Sequence, residues 1–220
     1  MAFIDLMNLY ESLGQQGLNT NLDYYRFSCK MAEPHRRLIR CHVYTGAYDQ
    51  TREPDRYSKQ VAFFNRVHRM PFVTLKTRPL LSRSGTYIQK GVDTLIATDM
   101  VSMAFLNHYD IALLVSGDGD LAPAVEAVKA AGKQIVVAAF PRSRSTAIGN
   151  AADYEIVLNA AYLQECYHDH IARHDNKPDW KFDADGGTGR SSEGLVVPRL
   201  VSRPDDPSAS RESERSPRRG

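Results

Sequence analysis

The sequence predicts an α/β protein, a Rossmann-like three-layer sandwich in which a parallel sheet lies between two layers of helices. Three observations carry that expectation. Short apolar, β-rich runs alternate with segments of helical periodicity along most of the chain. The stretch Leu113–Asp120, LLVSGDGD, passes from an apolar run into a Gly/Asp turn and then into a helix, as a buried parallel strand does. With 220 residues the chain is long enough for one domain with a real core and too short for two ordinary ones.

The elements follow in order. Ala2–Ile4 reads as a first strand with Asp5 at its carboxyl end and Asn8 in the turn or first helical turn. The run is one or two residues short for a central strand, so the true start is expected slightly upstream. Asn21 to about Met31 reads as a helix, and Ile39–Thr45 as a second, alternating strand. Gly46–Pro54 is loop-like, and Tyr57, Val61, Phe64 and Val67 step at helical intervals from Asp55 to Met70. Pro71 stops that helix, Phe72–Leu75 gives the third strand, and Arg78–Gly85 reads as a loop. A long helix follows Lys90-Gly91-Val92-Asp93 to about Asn107, with Leu95, Ile96, Met100, Met103 and Leu106 along one broad face. Tyr109–Val115 is the fourth strand. Asp120 is read as the N-cap of the next helix, with Pro123 in its first turn and Gly132 as its stop. Lys133–Phe140 is the fifth strand, Pro141–Ser145 a polar turn, Tyr154–Leu158 a sixth, edge strand, and Ala160–His174 a terminal helix. Residues 1–178 are therefore read as one domain. Apolar residues thin out over 179–220, too few to offset the entropy of ordering, so a disordered polar tail is expected there.

Composition narrows the classes. With 42% hydrophobic residues and no apolar run long enough to span a bilayer, no membrane segment is expected. The opening Met-Ala-Phe-Ile-Asp has no basic n-region, so export is not expected. Cys29, Cys41 and Cys166 match no zinc pattern or disulfide framework, so a reducing cytoplasm is the expected compartment. A net charge of +2 does not announce a nucleic-acid binder, so any such role rests on local clusters.

A doubly wound fold puts the carboxyl ends of all parallel strands on one edge, where open α/β sheets place their ligand sites. Asp5, Asp118 and Asp120 then meet if the first and fourth strands are neighbours, and the helix after the third strand brings in Asp93. Converging carboxylates repel and raise one another's pKa values, and a hard cation resolves this. Oxygen-only ligands favour Mg²⁺ or Mn²⁺ over zinc, and such a site suits phosphodiester hydrolysis. Asp99 lies about 9 Å further along its helix than Asp93 and reads as a supporting, partly buried carboxylate. Gly117 and Gly119 do not make a dinucleotide fingerprint, because they alternate with acids that would repel a pyrophosphate.

FIDLMNLYESL, QKGVDTLIATDM and YDIALLVSGDGDLAPAVEAVKAAGKQIVV, in that order and spacing, resemble the NYN domain of the LabA-like family over about Ala2 to Leu158. NYN domains belong to the PIN-like nucleases. The resemblance implies a sheet ordered 3-2-1-4-5 and a divalent-metal-dependent ribonuclease site. Carried over by position, Asp5, Asp93, Asp118 and Asp120 match the acids credited with metal binding and catalysis, and Asn8, Lys90, Asp99 and Ser116 match further recurrent positions. Leu6 stands where the family usually has Gly, which predicts a differently shaped first turn, and Leu121 replaces the usual Phe.

The expected partner is single-stranded or structured RNA. Basic clusters stand at Arg36, Arg37 and Arg40; at Arg66, His68 and Arg69; and at Lys76, Arg78 and Arg83. Arg142, Ser143, Arg144 and Ser145 follow the fifth strand on the same edge as the acids, and with Lys90 they are read as phosphate contacts. Tyr10, Tyr48 and Tyr87 are candidates for base stacking. His170 and His174 have i, i+4 spacing but no third ligand, and are not read as a metal site. Trp180 carries no signal. A homodimer and recruitment of protein partners by the tail are further expectations. The competing readings are a non-catalytic regulatory or RNA-binding module and, last, a phosphate-accepting signalling domain.

Overall fold

The computed structural model describes residues 1–34, 36–83, 86–88 and 90–168, the backbone alone for 81–83 and 86–88. Six parallel strands form the central sheet: β1 (Ala2–Asp5), β2 (Cys41–Ala47), β3 (Val73–Pro79), β6 (Ile111–Val115), β7 (Gln134–Ala139) and β8 (Tyr154–Val157), in the order β3-β2-β1-β6-β7-β8. Counted among parallel strands alone this is 3-2-1-4-5-6. Helices α1 (Leu6–Gln15), α2 (Tyr24–Ala32) and α3 (Pro54–His68) connect the strands from β1 out to β3. Helices α4 (Val92–Phe105), α5 (Ala122–Ala130) and α6 (Thr146–Ala151) connect those from β3 back across to β8. Right-handed crossovers put the helices that connect strands added in opposite directions on opposite faces, so the two sets of helices sandwich the sheet.

Strand side chains alternate between the two cores accordingly. Ala2, Ile4, Cys41, Val43, Leu113, Val115, Val136 and Ala138 pack with Leu6, Leu9 and Leu13 of α1 and Phe27 and Met31 of α2. Phe3, Tyr44, Ala112, Leu114, Ile135 and Val137 pack with Val92, Ile96 and Met100 of α4 and Val125 and Val128 of α5. β1 is only four residues long, yet all four are buried because it is hydrogen-bonded on both sides, to β2 and to β6. No helix among the described residues is long and apolar enough to cross a membrane.

Several boundaries differ from expectation. The third strand runs on to Pro79, pairing with β2 over its whole length, and a short antiparallel hairpin, β4 (Leu81–Arg83) with β5 (Thr86–Ile88), replaces much of the expected Arg78–Gly85 loop. Pairing to β2 overrides the local turn signal of Pro79. The helix expected from Asn21 starts at Tyr24, with the Asp23 carboxylate accepting from Arg26 N–H as its cap. On α4 the buried line is Val92, Ile96, Met100 and Ala104; Leu106 follows the helix end and is exposed. Helix α6 was not expected from the sequence; its signal is the Ser145 N-cap with Ile148 and Ala151 facing inward. Leu6 takes the first position of α1 and buries its side chain in the core, so the turn that follows Asp5 is helical. The terminal helix is short, α7 (Ala160–Leu163), followed by a 3-10 turn over Gln164–Cys166. The rest of that expected helix, the domain boundary at 178 and the tail 179–220 lie outside the described residues, as do His170, His174 and Trp180.

Leu114 is fully buried on β6, beside β1. Replacing it by Ala is expected to lower the unfolding free energy by about 2–5 kcal/mol. Urea denaturation reads this as a lower midpoint at unchanged slope. A shift under about 1 kcal/mol would show that this position is not tightly packed.

Candidate active site

The strand order changes direction between β1 and β6, and the crevice at such a switch point opens at the carboxyl edge. Ile4 pairs with Val115, so Asp5 stands beside Ser116, the first residue after β6. Asp5 is both the last residue of β1 and the N-cap of α1. Its Oδ1 accepts from the Asn8 backbone N–H (3.2 Å) and its Oδ2 from the Ser116 hydroxyl (3.3 Å), and the residue is only 3% exposed. Asn8 ties the next turn down: its Oδ1 accepts from Gly117 N–H at 2.9 Å. Ser116 Oγ in turn accepts from Asp118 N–H at 3.2 Å.

Asp118 caps a 3-10 turn over Gly119–Leu121, its Oδ1 accepting from Asp120 N–H at 2.9 Å. That corrects the expected cap: Asp118 opens the turn, α5 starts only at Ala122, and Asp120 leaves its carboxylate outside the capping role. The turn is pressed against the loop that follows β7. Ser145 N–H donates to the Gly117 carbonyl at 2.9 Å, and a Cβ on Gly117 would lie 2.1 Å from the Ser143 carbonyl oxygen. Glycine is therefore required there by close approach of two backbones. Asp93 arrives from the opposite face, in the first turn of α4, after Gly91 takes the left-handed conformation (φ 81°) that turns the chain into the helix. A carboxylate in that first turn is also favoured by the helix dipole.

Electrostatically the four acids form one group. Burial, and then the charges of Asp93 and Asp118, push the Asp5 carboxyl up to about 6, against the pull of its hydrogen bonds from Asn8 and Ser116. Asp93 is also raised, by burial first and then by Asp118 and Asp120. Among the described residues, no group of three or more His, Cys, Asp or Glu side chains stands as a ready cage for a metal ion.

The remaining expected residues are placed as follows. Asp99 faces away from this group: its Oδ2 accepts from Tyr44 Oη at 2.8 Å and pairs with Lys76 Nζ at 2.5 Å. It thereby ties α4 to β2 and β3. Tyr44 and Lys76 were not singled out from the sequence as its partners; that they stand directly opposite one another on adjacent strands becomes visible only with the pairing. Lys90 is exposed just ahead of α4. After β7, Arg142 is exposed, Ser143 Oγ donates to the Phe140 carbonyl (3.3 Å), and Ser145 caps α6 through Ile148 N–H (3.2 Å). Arg144 is paired with Glu155 at 2.7 Å. Arg36, Arg37 and Arg40 precede β2 and so lie at the amino edge, opposite the acids, and Arg66, His68 and Arg69 end α3 at that same far edge. The side chains of Arg83 and Tyr87 lie outside the described residues.

A parallel sheet in this order, with aspartates gathered at the β1/β6 switch point, is the architecture of the PIN-like nuclease fold. The family model for the NYN domain matches residues 1–159, and the chain belongs to that family. Among solved structures it is similar to a protein of unknown function from Vibrio parahaemolyticus RIMD 2210633, at 25% identity and a TM-score of 0.56, covering 72% of this chain and 91% of that one. None of the curated proteins compared with it matches.

The pKa of Asp5 gives a signed prediction. Its folded-state value lies above the unfolded value near 3.9, so the folded protein binds the extra proton between about pH 4 and 6. Its contribution to stability is therefore full below about pH 4 and is lost as pH rises through about 6. Asp5→Asn, which can still cap α1, is expected to raise the unfolding free energy of the metal-free protein by on the order of 2 kcal/mol near pH 7.5, and to leave it almost unchanged near pH 4. Urea unfolding in EDTA at the two pH values measures this. Equal effects at both would show that Asp5 does not carry the penalty.

Proposed function

We propose that this protein is a metal-dependent endoribonuclease that hydrolyses RNA phosphodiester bonds at the carboxyl edge of the sheet. The observation that carries this reading is a buried carboxylate, Asp5, whose charge is opposed by its own neighbours Asp93 and Asp118. Such repulsion is tolerable when a cation shares the site, and the donors are carboxylate oxygens only, the set that suits Mg²⁺ or Mn²⁺. Asp5, Asp93, Asp118 and Asp120 would hold it. When bound, such an ion would neutralise phosphate charge and lower the pKa of water, making hydroxide available as the nucleophile near neutral pH.

The chain's own residues do the rest. Ser116 and the Asn8 backbone fix both oxygens of Asp5, and Asn8 Oδ1 fixes the turn that carries Asp118, so the first and fourth parallel strands present their acids with little freedom. Lys90 and Arg142, both exposed, are the cations proposed to meet the RNA backbone. The reaction is hydrolysis: water adds across a P–O bond and leaves one phosphate monoester and one hydroxyl.

Incubation of a labelled RNA with Mn²⁺ is expected to give cleavage that EDTA stops. Asp118→Asn is expected to lower the rate at least about 100-fold, in line with loss of transition-state electrostatics, while the thermal melt still shows a folded protein. Cleavage that survives the substitution would belong to a contaminant. RNA binding without turnover across several metals would instead assign the domain to the non-catalytic, RNA-binding class.

A further inference from the structure

Asp5 pairs in register with Tyr44, but β2 does not end there; it continues through Thr45, Gly46 and Ala47, paired with Thr77, Arg78 and Pro79 of β3. At about 3.3 Å per residue, these two strands raise a wall roughly 10 Å beyond the level of Asp5, on the side of the crevice away from β6. Residues two apart share a face. Tyr44 and Lys76 lie under α4, where both bond Asp99, so Gly46 and Arg78 come next on that face, towards the first turn of α4 and Asp93. Arg78 is exposed at the outer end of β3, while Gly46, its register partner on β2, is buried.

At the top of the wall stands Tyr48. Its backbone N–H donates to Gln60 Oε1 (2.9 Å), while Gln60 Nε2 donates to the Gly46 carbonyl (2.8 Å), so one side chain of α3 clamps the exit of β2. The next turn is closed by Asp49, whose Oδ1 accepts from Thr51 N–H (2.8 Å) and Arg52 N–H (3.2 Å). The Arg56 guanidinium lies 5.7 Å from the centre of the half-buried Tyr48 ring. An aromatic ring on a pinned turn, backed by an arginine that Glu53 also holds at 3.6 Å, with a second, exposed arginine on the adjoining strand, offers what an unpaired strand needs: a ring to stack a base and a cation to meet a phosphate. A duplex offers the phosphates but keeps its bases stacked among themselves.

We propose that this β2–β3 wall is a single-stranded RNA subsite, in which Tyr48, backed by Arg56, stacks one unpaired base and Arg78 holds the adjoining phosphate. The choice of RNA rests on the nuclease reading above. The subsite sets the strand across the carboxylates from the side opposite Arg142 and selects unpaired over paired substrate.

The test measures fluorescence anisotropy with a labelled, unstructured RNA of ~12 nucleotides and with its duplex, in EDTA so that the probe survives, alongside Mn²⁺-dependent cleavage. Tyr48→Ala is expected to weaken single-strand binding about 10-fold and duplex binding by less than about 2-fold, and Tyr48→Phe to restore it. Arg78→Ala is expected to weaken both forms and to flatten the single-strand salt dependence by about 0.7 in log–log slope. Melting curves of each variant confirm folding, and Tyr48→Leu, which keeps an apolar side chain but no ring, takes the place of the alanine variant if that one unfolds, with the same selective loss of single-strand binding expected. If the wild type binds and cleaves RNA while Tyr48→Ala binds it equally well, or loses single strand and duplex alike, the subsite is overturned and the nuclease reading stands. If the wild type binds neither form, both fall together.

Discussion

A carboxylate at the end of the innermost strand has nowhere to shed its charge. β1 is flanked by β2 and β6 and covered by helices on both faces, which is why Asp5 is buried and why its proton is held up to about pH 6. The surrounding polar groups are arranged around that one difficulty. Asn8 and Ser116 give its oxygens hydrogen bonds, and the same two side chains also hold the Gly117 and Asp118 backbone. The acidic turn after β6 is thus braced by the groups that make Asp5 tolerable.

Much of this was legible before any coordinates. Alternation of apolar runs with helical spacing reports the layers, because a strand buried on both faces must be apolar throughout, and the abrupt change from LLV to SGDGD marks the edge where the sheet ends. Parallel topology then places Asp5, Asp118 and Asp120 on one edge from chain order alone. What was not legible depended on pairing between strands. The extension of β3 to Pro79 comes from β2 lying alongside it, and the ties from Asp99 to Tyr44 and Lys76 cross three elements. The cap at Asp118 instead of Asp120 was hidden for a local reason: both are good caps, and only the backbone shows that a 3-10 turn comes first.

The two sides of the crevice are built differently. On the β6–β7 side, the loop after β7 spends most of its polar groups on structure, with Ser145 capping a helix and Arg144 bound to Glu155. On the β2–β3 side, two strands overshoot Asp5 and carry Arg78 exposed at their outer end. Lys76, one step lower on that face, is occupied by Asp99 and anchors the helix that presents Asp93. Of one sequence cluster of cations, Lys76 is thus spent on holding a helix while Arg78 stays exposed.

The contact between Gly117 and Ser143 sets a limit on variation. A surface loop usually absorbs an added residue, since its backbone borders on water. Here the Ser143 carbonyl already occupies the space a methyl group would need at position 117, and the Ser145 N–H is spent on the Gly117 carbonyl. The two loops share one joint geometry, so the segment from Phe140 to Ser145 should tolerate changes of side chain far better than changes of length.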